Sequence, residues 1–179
     1  MTITERSRER VRRLEARLAE TDEFSVHEET WSISRSDYAK LRDRFEADAH
    51  GGAGAWIIDG DGAVLLVRNE GDDGWTDPGG KRKVGESFAE TARREVREEA
   101  GVECRLRGVR ELYAIEHRPP AEAPILSPIV IFDAGYVSGE PRPRAGEIAE
   151  VGWFTDAPER VRYEQVRTRP YPTSESVRD

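Results

Sequence analysis

Residues 87–101 constrain this chain more than any other stretch. Ser87 and Glu90 form an S-x-x-E capping pattern and Gly101 stands where a left-handed residue ends a helix, so a helix is predicted from Ser87 to Ala100. At 100° per residue, Phe88, Ala89, Ala92, Val96 and Ala100 share one side and would anchor the helix on a sheet. Glu95, Glu98 and Glu99, at i, i+3 and i+4, gather on the other side. Two of their spacings set like charges side by side, each costing about 0.2–0.5 kcal/mol on a bare helix. A helix built only for solubility would alternate its signs there. Arg94, one turn before Glu98, can neutralise part of the conflict, and a divalent cation can take the rest.

An all-carboxylate donor set suits hard cations such as Mg²⁺ or Mn²⁺ rather than zinc or copper. Mg²⁺ is commonly shared between carboxylates and substrate phosphates. The Gly-rich run Asp77-Pro78-Gly79-Gly80 lies just before the helix. The combination points to metal-assisted attack on a phosphorus centre, with the cation neutralising phosphate oxygens and acidifying a water. The chain carries 36 Asp and Glu against 28 Lys and Arg, a formal charge of −8. An acidic protein of this kind needs its cation to meet an anionic substrate. The same excess argues against generic nucleic-acid or anionic-membrane binding, which needs clustered positive charge.

The apolar residues mark the domain. Of 36 Leu, Ile, Val and Phe, 24 fall within 53–154, so one core-bearing domain with weakly apolar ends is expected. Residues 1–50 are expected as an N-terminal helical extension. It would hold one helix over 4–20 with a stripe of Val11, Leu14 and Leu18, and a second over 37–47, starting after Ser36 and Asp37, with Tyr38, Leu41 and Phe45. Such a stripe packs on the domain or on a second copy of the chain, and a homodimer is one expectation. Gly51 to Gly54 resembles a flexible joint. Strands are predicted at 55–59 and 63–68 across a Gly60-Asp61-Gly62 turn, then at 102–117, 125–137 and 147–154. Residues 69–80 are expected as a loop, 118–124 as a long connection, and 157–165 as a last short helix. The tail over 167–179 is expected to have little order. No run approaches a membrane span and no signal peptide is visible, which makes a cytoplasmic protein the expectation. Cys104 is the only cysteine, which excludes an intrachain disulfide and favours a structural role.

Gly80, Glu86, Arg94, Glu95, Val96, Glu98, Glu99, Gly101 and Val102 fill the pattern G-x5-E-x7-R-E-U-x-E-E-x-G-U, where U is an aliphatic residue. In this the chain resembles the Nudix hydrolases at every defined position of their signature. Trp75 and Pro78-Gly79 resemble the family's approach to that box, and Glu147-Ile148 with Trp153-Phe154 its late strand. The likeness spans roughly 53–155.

The resemblance implies an α/β/α sandwich with a mixed β-sheet over 51–157, flanked by the N-terminal extension and by a C-terminal short helix and tail over 158–179. It implies hydrolysis of a pyrophosphate bond in a nucleoside diphosphate derivative or related organic pyrophosphate. Mg²⁺ or Mn²⁺ would be held by Glu95, Glu98 and Glu99 with the carbonyl of Gly80, and Glu86 and Glu147 are further metal candidates. Arg94 would orient the carboxylates. Glu95 is the favoured general base, with Glu147 or Glu150 outside the box as alternatives. Trp75, Arg82 and Tyr113 are candidate substrate contacts, the aromatics by stacking on a base; Trp153 shares that possibility, although aromatics at strand ends more often belong to a core. The substrate is expected to be small, with an RNA end the one nucleic-acid exception. The alternative is a Nudix-fold module that binds a nucleotide without cleaving it.

Overall fold

The structure is a computed structural model that describes residues 1–172. Its centre is a mixed sheet. Strand β1 (Ser25–Ser32) runs parallel to β6 (Glu103–Arg118), which pairs antiparallel with β7 (Ile125–Ser138). Strand β7 lies parallel to β2 (Gly52–Ile58). The two ends of β2 take different neighbours. Gly52–Gly54 face β5 (Gly79–Lys81), while Ile57 and Ile58 face β3 (Val64–Asn69). Strand β3 also pairs with β4 (Trp75–Thr76) and β8 (Ile148–Phe154).

Helices cover both faces. Helix α1 (Ile3–Leu18) and α3 (Phe88–Ala100) lie on one, where Leu14, Ala53, Ala92, Val130 and Phe132 close one cluster. Val96 and Ala100 of α3 meet Ala55, Ile57, Leu65 and Val67 in the next. On the other face, α2 (Arg35–Glu46) packs Tyr38, Leu41 and Phe45 with Ile125. There α4 (Glu164–Thr168) also contributes Val166, packed with Trp56 and Leu66. The layers form the α/β/α sandwich that the box implies.

The helices that carried local signals form as expected. Ser87 and Glu90 exchange both capping bonds and Gly101 sits at φ 74°. Helix α1 is capped the same way by Thr2 and Glu5, and Val11 and Leu14 are buried against the sheet. Helix α2 is capped by Ser34 rather than by Ser36 or Asp37, because Ser34 Oγ accepts from the Asp37 amide. Helix α4 occupies 164–168 instead of 157–165. Upstream of it the backbone is extended against β4, with Trp75 N donating to Arg160 O and Arg162 N to Trp75 O.

The other differences come from long-range pairing. Strand β1, between the two N-terminal helices, is announced by no pattern because its residues are mostly polar. The glycine joint is the start of β2. A Cβ on Gly52 would lie 2.5 Å from Gly80 O, so these glycines permit close strand approach rather than flexibility. Two short strands, β4 and β5, occupy the segment expected as a loop. The tail is partly built in: Arg169 and Tyr171 are buried. The rest of the tail expectation, residues 173–179, lies outside the described residues. Residues 119–124 form the connection expected over 118–124, held where Thr4 donates to Pro124 O and Tyr38 to Ala123 O. Cys104 packs beside the core of α3, and burial pushes its thiol up to about 11. Among the described residues no helix is long and apolar enough to cross a membrane.

Candidate active site

A cleft of about 670 Å³ crosses the sheet face opposite α1. At one end β5 brings Gly79 and Gly80 against α3, and the side chains of Glu95 and Glu99 close that end. The Glu95 carboxylate sits against the Gly80 backbone and would have to move for a side chain there. A Cβ there would lie 2.5 Å from the Glu95 carboxyl carbon. Glu99 is fixed from the same strand, its Oε2 accepting from the Gly79 amide at 3.0 Å.

Arg94 organises the acids around it. Its Nε and Nη2 donate to the two oxygens of Glu86 at 2.5 and 3.0 Å. Its Nη1 donates to Glu95 Oε1 at 2.7 Å and to Glu98 Oε2 at 3.1 Å. A further bond to Lys81 O ties the guanidinium to β5. Hydrogen bonding to Arg94 draws the Glu86 carboxyl down to about 2. A second arginine, Arg144, bridges Glu98 Oε2 at 3.1 Å and Glu147 Oε2 at 3.2 Å, and Glu147 borders the cleft.

Glu95 and Glu99, the two α3 carboxylates in the cleft lining, behave differently from Glu86. Glu95 is 7% exposed and Glu99 4%. Burial raises Glu95, against the pull of Arg94. Burial pushes Glu99 up to about 8, opposed by the Gly79 amide and reinforced by the nearby charges of Glu95, Glu147 and Asp77. Both carboxyls are raised because burial outweighs the hydrogen bonds that Arg94 and the Gly79 amide give them. The all-oxygen donor set of these buried acids fits a hard divalent cation. No three acidic, histidine or cysteine side chains among the described residues close into a ready cage. Arg94 stands between Glu86, Glu95 and Glu98 instead.

The remaining residues picked out from the sequence are dispersed. Trp75 packs on Phe154, centroids 4.7 Å apart, outside the cleft lining. Arg82 stacks its guanidinium 5.0 Å over the Phe88 ring and donates to His50 O and Glu86 O, also outside it. Tyr113 borders the cleft, with its hydroxyl given to Glu111. Glu150 pairs with Arg68 at 2.9 Å, away from the lining. Trp153 packs against the core and meets Tyr136 edge-on.

Sequence reasoning missed the rest of the cleft. Arg169 lies in its wall, only 6% of its side chain exposed, with Nε and Nη2 each 3.0 Å from a Glu111 oxygen. Its Nη1 reaches Asp77 Oδ1 at 2.7 Å. This buried network fixes the residues after α4. The far end is bordered by Glu29 and Trp31 of β1 and by Tyr163 and Gln165. Nothing local in the sequence brings these two segments together.

The family model of the NUDIX domain matches residues 48–171. Among solved structures, the chain is similar to a MutT NUDIX hydrolase from Burkholderia pseudomallei. The identity is 28% and the TM-score 0.51, over 66% of this chain and 93% of the other. It is also similar to a UDP-X diphosphatase, at 22% identity and a TM-score of 0.51 over 94% of this chain and 79% of that one. A NUDIX hydrolase from Nitrosomonas europaea aligns at 24% identity and a TM-score of 0.48, over 59% and 72% of the two chains. Comparison with curated proteins returns no match.

Proposed function

Because the chain belongs to the NUDIX domain family as a pyrophosphohydrolase, we propose that it cleaves a nucleoside diphosphate derivative or a related organic pyrophosphate with the help of Mg²⁺ or Mn²⁺. The observation that carries this reading is the pair of buried carboxylates, Glu95 and Glu99, against the side-chain-free backbone of Gly79 and Gly80. Glu95, Glu98 and Glu99, with the carbonyl of Gly80, are the groups to hold the cation, and Glu86 and Glu147 flank them. When bound, the cation neutralises phosphate oxygens and makes water acidic enough to attack.

The chain's own residues supply orientation and proton transfer. Arg94 bonds Glu95 and Glu98 through the same Nη1 while Glu86 balances its charge. Arg144 bonds the same Glu98 oxygen and Glu147. Arg94 engages Glu95 Oε1, which leaves Oε2 as the oxygen that takes the proton of the attacking water.

The test is phosphate release, with and without Mg²⁺ or Mn²⁺, over nucleotide sugars, dinucleotides, nucleoside triphosphates and base-free pyrophosphates. Cation-dependent release from one class supports the reading. Tight nucleotide binding with no cleavage of any class replaces it with a binding module.

A further inference from the structure

Arg44 is a half-buried cation with no acid beside it. It borders the cleft, and among the described residues no carboxylate forms an ion pair with it. Its Nη2 donates to Ala49 O at 2.7 Å, Gly51 O at 3.0 Å and Arg82 O at 3.1 Å, which ties the end of α2 to the chain flanking β2 and β5. That tie uses one nitrogen. Nε and Nη1 have no partner among the described residues, and neither is sealed from solvent. Burial lowers the guanidinium below its usual value, and the like charge of Arg82 adds to the effect. The other arginines in the cleft lining are answered, Arg169 by Asp77 and Glu111, and Arg162 by Asp72 at 3.4 Å. A charge withdrawn from water without a counter-ion is costly. In a chain of formal charge −8, leaving Arg44 without one asks for an anion from outside.

Two lysines stand near it. Lys40 lies one turn before Arg44 on α2, Lys81 is on β5, and both border the cleft. Lys81 is exposed and makes no ion pair among the described residues. Its charge reaches Asp37, the acid on this side of α2, which is already held by the Ser34 hydroxyl and by Lys40 at 3.4 Å. Beyond Arg44 the lining continues with His117 and Ser127, joined at 2.6 Å. Gly51, whose carbonyl Arg44 holds, stands two residues before Ala53, and Ala53 pairs with Gly80. Two residues of extended chain span about 7 Å. The basic end is thus next to the box but set apart from its carboxylates.

We propose that Arg44 and Lys81, with Lys40 at the rim, bind a phosphate group that the substrate carries in addition to the diphosphate at which it is cleaved. The substrate class is then a pyrophosphate whose attached moiety is itself phosphorylated. Arg44 offers the free N–H groups of Nε and Nη1 with a fixed charge, and charge-assisted bonds of this kind to phosphate are the strong ones. Lys81 adds an adaptable point charge. Helix α2 of the N-terminal extension thereby selects substrate as well as packing on the sheet. The inference rests on the hydrolase reading only for the position of the diphosphate at Gly79 and Gly80.

The experiment is equilibrium binding of inorganic phosphate to the full chain without divalent cation, by calorimetry at a fixed ionic strength of about 0.15 M. Without a cation the carboxylate end repels the probe, so binding reports the basic end. One phosphate should bind saturably. Arg44→Gln should weaken it by about tenfold and Lys81→Gln by a smaller factor. Lys81 is exposed and unpaired, so its variant reports even if Arg44→Gln folds poorly. No saturable binding, or Lys81→Gln binding phosphate as tightly as the parent, overturns the subsite. In Mg²⁺, kcat/KM is then compared for coenzyme A against dephospho-coenzyme A, and for ADP-ribose 2′-phosphate against ADP-ribose. A phosphorylated member should be preferred by roughly tenfold, and Arg44→Gln should bring the pair together, which a merely structural role would not do. Pyrophosphate cleavage with no phosphate binding would sink the subsite and spare the hydrolase. Saturable phosphate binding with no cleavage of any pyrophosphate would do the reverse.

Discussion

Gly80 and Glu95 compete for one volume: the place a Cβ would take on Gly80 lies within 2.7 Å of all three atoms of the Glu95 carboxylate. Gly80→Ala must therefore push Glu95 off its position. We expect turnover to fall on the order of a hundredfold, with a stability loss of about 1–3 kcal/mol from overpacking. Steady-state rates and urea midpoints check this together. Unchanged kinetics would show that Glu95 works from elsewhere.

Glu98 is the most exposed of the three box acids, and two arginines bond one of its oxygens. Glu98→Gln keeps the shape and removes the charge. Turnover in Mg²⁺ should drop by roughly a hundredfold or more, while the thermal midpoint stays close to that of the parent. Full activity would remove Glu98 from the cation's ligands.

His50 is 3% exposed, and neither ring nitrogen has a hydrogen-bond partner. Burial lowers it to about 4, with Arg10 and Arg82 adding to the effect. The unfolded chain takes up this proton near 6.5 and the folded one only near 4, so stability falls as pH drops through that window. The loss is at most about 3 kcal/mol. His50→Phe keeps the edge contact to Phe45 and should flatten the slope of unfolding free energy between pH 7 and pH 4.5. An identical slope in both proteins would mean that the imidazole is protonated in the fold.

Arg169 answers two buried acids. Arg169→Met leaves Glu111 and Asp77 without their cation, which should cost about 3–5 kcal/mol. Adding Glu111→Gln should return part of it. Urea titration of the single and double variants measures the coupling, and a single variant as stable as the parent would mean that water replaces the guanidinium.

What could be read from the sequence, and what could not, divides by range. Helix α3 was legible because caps, apolar side and acid side all lie within one short segment. The acids could be named, yet their electrical states could not, because Glu99 owes its raised carboxyl to burial under β5. Gly52 and Gly54 read as a joint until Gly80 and Pro78 stand opposite them. Strand β1 is a sheet edge whose side chains are half in water, so no apolar alternation marks it. Arg169 lies 58 residues from Glu111 and 92 from Asp77, and no pattern in a proline-bearing tail announces partners that far away. Trp75 and Arg82 drew notice by standing near the box in sequence, where proximity along the chain says little about which wall a side chain faces.

The cleft is walled at one end by residues 29–31 and at the same end by residues 163–165, with residue 169 beside them. In order of synthesis, those last positions follow every other element of the cleft. A growing chain can therefore fold its box helix and most of its sheet while the pocket is still open on one side. Any protein ending before residue 163 would keep the acids of α3 but lack a wall. The acids of α3 thus precede, along the chain, the residues up to 169 that complete the cleft.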